Sequence, residues 1–438
     1  MTEQYDYWNK DMELKTRAEL DKLQDKRLRA IVKYCYEKVP FYNSQFKAAN
    51  LEPDDIKTKE DIVKIPITKK QSLRDNYPFG MFAVPLREII RIHASSGTTG
   101  KPTVVGYTAN DIAMWTEIMA RTLTAPGIKK GDILQNAYGY GLFTGGLGFH
   151  YGAEKIGATV IPISGGNTDR QILLMQDFET TVLTCTPSYS LYIAEFMKQM
   201  NMDVDKLSLR IGMFGAEPWS ESLRTKIEDA LHIKAVDIYG LSEICGPGVS
   251  VECPEQAGLH IWEDIFLPEL VNPETLEPVG EGESGALVFT TLTKEGIPLL
   301  RYLTNDISTL NFEKCNCGRS HVRMRKVIGR ADDMLIIRGI NVFPSEVEYE
   351  LMKIEGVSEN YQIIVDRDIL DTLTVKVELT PAAFSDKIAD MQAFKAKIER
   401  HLESTLQIHT TIEFVEPGRI ERSVGKAKRV VDLRAGKI

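Results

Sequence analysis

A chain of 438 residues is longer than one compact core usually fills, which points to two domains or three; 43% hydrophobic and 26% charged residues are the proportions of a folded globular protein and exclude a disordered one. With 53 basic against 62 acidic side chains the formal charge is −9, a poor balance for general binding to nucleic acid or an anionic membrane. An anionic ligand would need a locally positive site.

In chain order, Met1-Thr2-Glu3-Gln4-Tyr5-Asp6 offers no basic or apolar leader, so no secretory signal is expected. The longest apolar runs, Thr181 to Cys185 and Met334 to Ile337, have the length of core strands and not of a bilayer span. A cytoplasmic protein is expected, and its six cysteines are not a disulfide framework. Residues 13–38 carry Leu14, Leu20, Leu23, Leu28, Ile31, Val32 and Tyr36 at helical spacing, and Pro40 closes that region. From Asp132 onward buried strands (Ala158 to Pro162, Val182 to Thr186, Leu209 to Phe214, Ala235 to Tyr239) alternate with helices at 110–125, 169–178, 187–200 and 220–231. That alternation predicts an α/β domain with a substantially parallel sheet. After about residue 260 β-like segments (285–292, 307–312, 334–337) are joined by Gly, Pro and Asn turns. A small α+β region follows Gly329-Arg330, with a helix near 344–354, strands at 361–366 and 373–379, a helix at 386–403 and a last strand near 411–415.

The densest chemical signal is Ser95-Ser96-Gly97-Thr98-Thr99-Gly100-Lys101-Pro102. Two glycines let the backbone turn so that successive N–H groups face one anion, and four hydroxyls and a lysine add donors. The plain alternative is a polar surface turn. It is not a P-loop NTPase motif, because Ser95 stands where that motif needs Gly and Pro102 where it needs the magnesium-binding Ser or Thr. A dinucleotide fingerprint fails too, since Gly139 and Gly141 lack the third glycine.

This loop resembles the phosphate loop of the adenylate-forming superfamily of acyl-CoA synthetases, luciferases and adenylation domains. Further segments follow in that superfamily's order. Phe214-Gly215-Ala216-Glu217-Pro218 and Tyr239-Gly240-Leu241-Ser242-Glu243 resemble its adenine-binding segment and aromatic-Gly-x-x-Glu motif. Arg301 to Asp306 resembles the ribose-binding segment, Gly329-Arg330-Ala331-Asp332-Asp333 through Gly339 the hinge, and Gly425-Lys426 the catalytic-lysine motif. Within the superfamily, Tyr138 to Gly146, Ile261-Trp262-Glu263-Asp264 and Asp333 to Pro344 are similar to the phenylacetate-CoA ligases. Leu303 and Asn305 depart from the basic residues more often found there.

The resemblance implies a large α/β N-terminal domain with β subdomains (1–331) and a small, mobile α+β C-terminal domain (332–438), joined by a hinge at Asp332. It implies an AMP-forming ligase that activates an aryl acid, phenylacetate first, as an adenylate and passes the acyl group to coenzyme A. ATP would be held by Ser95, Ser96, Gly97, Thr98, Thr99, Gly100, Lys101, Gly215, Ala216, Glu217, Pro218, Tyr239, Gly240, Asp306 and Arg330. Glu243 would hold Mg2+, Lys426 would act on the α-phosphate and carboxylate, and the Gly339 backbone would approach CoA. Lys428 is the nearest competitor of Lys426. Tyr138, Phe143, Ala216, Gly240 and Pro247 are candidates for a flat apolar acyl pocket, with ordinary core packing as the alternative.

One expectation rests on residue types alone. Cys253 and His260, with six residues between them, and Cys315-Asn316-Cys317-Gly318 supply three thiolates and an imidazole in one turn-rich region. That is a complete tetrahedral set for a structural Zn2+. Two other functions stay open: loading an adenylated acid onto a carrier protein, and a zinc-bearing nucleic-acid-binding protein, which the acidic charge disfavours. The oligomeric state, a homodimer included, is open as well.

Overall fold

The computed structural model describes residues 5–95, 102–333, 335–338, 340–367, 370–380, 383, 388–406, 408–421 and 429–434. They form two compact units: Met1–Cys185, Lys206–Ala216 and Lys234–Lys326 make the first, and Thr186–Asp205, Glu217–Ile233 and Val327–Ile438 the second.

The first unit opens with a helical region. The helix Arg17–Lys38 starts on a capping box, in which the Thr16 hydroxyl accepts from the Glu19 N–H and the Glu19 carboxylate accepts from the Thr16 N–H. Leu20, Leu28, Ile31 and Val32 of the predicted stripe are buried, joined by Gln24 and Cys35, while Leu14, Leu23 and Tyr36 are half-buried. Pro40 does more than end it. It is the first residue of the next helix, Pro40–Ala48, where a missing N–H costs nothing.

Nine strands make the main sheet, in the order Leu310–Asn311, Arg323–Met324, Leu259–Ile261, Gly246–Glu252, Lys234–Leu241, Ile211–Gly215, Val182–Cys185, Ile133–Asn136 and Thr159–Ile161. The last five are parallel; from Lys234–Leu241 towards the other edge the pairing is antiparallel. Val182–Cys185 and Ile211–Gly215 are buried along their whole length, the environment that selects continuous apolar runs in a parallel sheet. Phe266–Val271, Gly285–Thr291 and Tyr302–Ser308 pair antiparallel in a second sheet. The strand expected at 307–312 is really two. The chain leaves the second sheet after Ser308, and Leu310–Asn311 pairs with Arg323–Met324 in the main one. Arg91–Ser95 and Thr103–Tyr107 form a hairpin that sets Ser95 opposite Thr103.

The second unit holds the expected α+β region. Its sheet runs Thr410–Val415, Asp371–Leu379, Val357–Arg367, Val430–Asp432, with the outer pairs parallel and the central pair antiparallel. The strand Val430–Asp432 has no counterpart in the sequence reading. Ile398 and Leu402 of the helix Ile388–Leu406, with Val347 and Leu351 of Pro344–Met352, close the core over Tyr361, Ile363, Val375 and Val377. The helices Pro187–Gln199 and Glu221–Leu231 belong to this unit too. Among the described residues no helix is long and apolar enough to cross a membrane.

One ion pair ties the start of the first unit to its cysteine-bearing loop. Arg319 and Glu13 are both fully buried, and the guanidinium donates from Nε and Nη2 to one carboxylate oxygen at 2.9 and 2.7 Å. Removing one partner strands the other charge without water. Glu13→Ala is therefore expected to lower unfolding stability by about 3–5 kcal/mol, read from urea denaturation. A loss below ~1 kcal/mol, the range of exposed pairs, would show that water reaches the arginine.

Candidate functional site

Four of the five parallel strands of the first unit end at Asn136, Cys185, Gly215 and Leu241, and candidate residues follow or lie at three of these ends. Tyr138 comes two residues after the first, Ala216 directly after the third, and Tyr239-Gly240 closes the fourth. This is where an open α/β sheet binds ligands, because the strands stop there and their loops diverge.

The tyrosine at 138 is held from two sides. Its hydroxyl lies 2.5 Å from the Cys185 carbonyl and 3.3 Å from that of Gly215, and its ring stacks on Phe149 with centroids 5.2 Å apart. Phe143, in contrast, is 53% exposed on the following loop. That loop is fastened to the hairpin, since Ala94 N–H donates to the Leu142 carbonyl and His93 Nδ1 lies 3.0 Å from the same oxygen. Burial lowers the pKa of His93, so the ring is neutral with Nδ1 as its donor.

Close backbone approaches explain the small residues. A Cβ on Gly215 would sit 2.2 Å from the Ile238 carbonyl oxygen, and Ala216 takes a left-handed φ of 72°. On Gly240 a Cβ would lie 2.0 Å from the Gly246 oxygen and 2.8 Å from Pro247 Cα. The register between the two strands shifts between Tyr239 and Gly240, so a bulge falls on the aromatic-Gly pair and re-aims its side chains. Tyr239 donates to an Asp306 carboxylate oxygen at 2.7 Å and stacks against Phe289. Asp306 itself is 92% buried, while Arg301, at the head of the same segment, is turned to bracing: it binds Glu269 and the carbonyls of Val63 and Ile65.

Glu243 lies on the turn after this bulge, 95% buried, with Lys70 Nζ 3.4 Å from its carboxylate. The Thr144 and Ser242 hydroxyls lie 3.1 Å apart and tie the loop before residue 145 to this turn. Beneath the turn sits Lys294, which sequence reasoning missed. It is 99% buried, and its ammonium donates to the carbonyls of Glu243 and Ile244, both at 3.0 Å. Burial holds its pKa below the ordinary lysine value. Nothing in the spacing of Thr293-Lys294-Glu295 marks this lysine; the one signal is a cation three residues past the end of a seven-residue buried strand.

In the second unit, the Glu217 carboxylate accepts from the Ser188 N–H and hydroxyl at 2.8 and 2.5 Å, and Pro218 is exposed. Arg330 forms a two-pronged bond with Asp332 at 2.8 and 2.9 Å. Ser95 ends its strand, half-buried. Ser96, Gly97, Thr98, Thr99, Gly100, Lys101, Gly339 and Lys426 lie outside the described residues.

Cys253, His260, Cys315 and Cys317 do come together. All four are buried, and their ligand atoms lie within 4.8 Å of one another. Cys253 Sγ is 3.7 Å from Cys315 Sγ, and Cys317 Sγ 3.4 Å from His260 Nε2. The other imidazole nitrogen, Nδ1, faces the His321 carbonyl at 3.4 Å. Gly318, at φ 88°, turns its N–H to the Cys315 carbonyl and closes the knuckle.

The carboxyl ends of the parallel strands carry a Gly-flanked turn, a buried carboxylate and a Tyr–Asp pair, and a small α+β region follows in the chain, the arrangement of an adenylate-forming enzyme. The AMP-binding enzyme family model matches residues 14–292, and the AMP-binding enzyme C-terminal domain model residues 339–434. Phenylacetate-coenzyme A ligase of Thermus thermophilus is 50% identical over 97% of this chain and 99% of its own length, and that of Escherichia coli 51% over 95% of each. A crystal structure of 2-hydroxyisobutyryl-CoA ligase in the postadenylation state, with R3-HIB-AMP, superposes with a TM-score of 0.93 at 28% identity, covering 100% of this chain and 94% of that one. The chain belongs to the phenylacetate-coenzyme A ligase family of AMP-binding enzymes.

Proposed function

We infer that this chain is an AMP-forming acid–thiol ligase that converts phenylacetate, ATP and coenzyme A into phenylacetyl-CoA, AMP and diphosphate through an acyl-adenylate. The observation that carries this reading is identity at half of all positions, over nearly the whole chain, with relatives named for that reaction. A carboxylate is inert to a thiol because its leaving group would be oxide. Attack of a carboxylate oxygen on the α-phosphorus of ATP expels diphosphate and turns that poor leaving group into AMP. Attack of the CoA thiol on the acyl carbon then breaks the acyl–phosphate bond, and the thiol proton is lost. The first step brings an anion to a polyanion, so the protein's work is to place and neutralise charge.

The buried Glu243 carboxylate is a hard oxygen donor that suits Mg2+, which binds through one or two carboxylates and the phosphates. When bound, it neutralises charge on the phosphates. We assign the Ser95–Lys101 loop to the β- and γ-phosphates, Gly215 to Pro218 and Tyr239-Gly240 to adenine, and Asp306, with Arg330, to the ribose. Tyr138, with its hydroxyl engaged and its ring stacked, is suited to be a rigid wall of the phenyl pocket, with Phe143, Ala216, Gly240 and Pro247 as its other candidates. Lys426 is assigned to adenylation, Asp332 to the hinge and Gly339 to the pantetheine arm. The reaction belongs in the cytoplasm, where ATP and CoA are supplied.

We assign Zn2+ to the Cys3His cluster. Tetrahedral zinc at ~2.3 Å from thiolate sulfur sets two sulfurs about 3.8 Å apart, and Cys253 and Cys315 are at 3.7 Å. Four protein ligands leave no position for water, so the role is structural.

Three measurements follow. With CoA present, phenylacetate should exceed acetate and a long-chain fatty acid at least about tenfold in specificity, since losing ring burial forfeits a few kcal/mol. Equal use of acetate, or AMP release that ignores CoA, would point to another acid or to a carrier protein. Lys426→Ala should slow diphosphate release by roughly a hundredfold or more and largely spare thioester formation from pre-made adenylate. Equal loss of both, or a larger adenylation defect in Lys428→Ala, refutes that assignment. Chelator-free protein should contain about one zinc per chain, and Cys315→Ser should lower Tm without abolishing the activity of folded protein. Metal-free protein at full stability removes the zinc.

A further inference from the structure

Lys294 is the most deeply buried cation beside the adenylation motif, and the reaction as assigned above gives it no task. An ammonium has three donors and tolerates burial only if they are engaged. Two go to the Glu243 and Ile244 carbonyls, and the Tyr107 ring lies 5.1 Å from Nζ. The Tyr107 hydroxyl faces the carbonyls flanking these, Cys245 at 3.1 Å and Ser242 at 3.4 Å. Four consecutive carbonyls of one turn are thus gripped from below by two buried side chains.

The grip is itself anchored. Asp111, buried on the helix Ala109–Thr124, accepts from the N–H groups of Glu295 and Gly296 at 2.7 and 2.8 Å and so fixes the backbone that carries Lys294. Trp115 of the same helix stacks on Tyr107, with centroids 5.3 Å apart. Only one residue in the gripped turn presents a carboxylate, Glu243.

We propose that Lys294 is a positioning residue for adenylation: by holding the Glu243 and Ile244 carbonyls it fixes the turn that presents the Glu243 carboxylate, and so sets the affinity of that carboxylate for the metal–nucleotide. The proposal rests on reading Glu243 as the metal-binding group. Groups behind a metal ligand act in this way by restricting where the ligand can point.

The test measures binding and backbone motion, not turnover. Mn2+ is titrated by electron paramagnetic resonance into the full chain with a non-hydrolysable ATP analogue, and amide hydrogen exchange is followed over residues 240–248 without ligand. Lys294→Met should weaken Mn2+ binding by roughly ten- to hundredfold and speed exchange in that segment. Glu243→Gln should weaken Mn2+ binding as well, and the double variant should be no weaker than Glu243→Gln alone, as for two residues acting through one group. If Glu243→Gln binds Mn2+ like the unaltered protein, the reading of Glu243 fails. If Glu243→Gln weakens binding and Lys294→Met does not, although the segment exchanges faster, Lys294 is structural only and the inference is overturned. Should Lys294→Met not fold, Lys294→Gln is read by the same two outcomes, with Tyr107→Phe expected to give a smaller loss of the same sign.

Discussion

Two backbones pass so closely at Gly240 that a single methyl group there would occupy the position of the Gly246 carbonyl oxygen. The constraint is steric, but its consequences are chemical. Strand Lys234–Leu241 is the last parallel strand and Gly246–Glu252 the first antiparallel one, so the sheet changes sense where no side chain fits. The register shift required there sends Tyr239 to Asp306 and leaves a four-residue turn, Ser242 to Cys245, outside the ladder. A turn without ladder bonds has carbonyls to satisfy, and buried Lys294 and Tyr107 satisfy them. The position of Glu243 is thus the end of a chain of causes that begins with a missing Cβ.

Much of this was legible in the sequence, for a definite reason. The parallel strands Val182–Cys185 and Ile211–Gly215 are buried on both faces, so their apolar runs had one meaning, and the helices between them kept the 3.6-residue period. What escaped was made by partners distant in sequence. The strand Val430–Asp432 is three residues long and exists through pairing with Val357–Arg367; it carries no period of its own. The division at Thr309 is decided by which sheet each half joins. Lys294 was invisible because its partners lie about fifty residues away. The cysteine–histidine cluster was legible for the opposite reason: thiols and an imidazole suggest a metal by chemistry alone, and folding had only to bring them together.

Some motifs that mark the family do no chemistry in this reading. Trp262 donates to the Thr122 hydroxyl, buried Glu263 accepts from half-buried Arg17, and buried Asp264 accepts from buried Arg121. Arg301 likewise braces Glu269 and two carbonyls. Such groups brace the interior, where a buried charge that loses its partner is worse than an apolar residue. A motif can therefore identify a family through residues that never meet its substrate.

The same reasoning separates two kinds of metal chemistry within the first unit. At Glu243 the donor would be a carboxylate, a hard oxygen that suits a cation retaining its waters, with Lys70 Nζ 3.4 Å away. The cysteine cluster offers three sulfurs and an imidazole nitrogen, all buried and within 4.8 Å of one another, the number a tetrahedral site takes. Neither set suits the other's ion, because softness, ligand number and access to water all differ. The sulfur site is closed, with Arg319 beside Cys317 and Glu13 beyond it, where the first unit's start is fastened to its last loop. The two donor sets would thus select different cations, each by the donor atoms it offers and not by raw affinity.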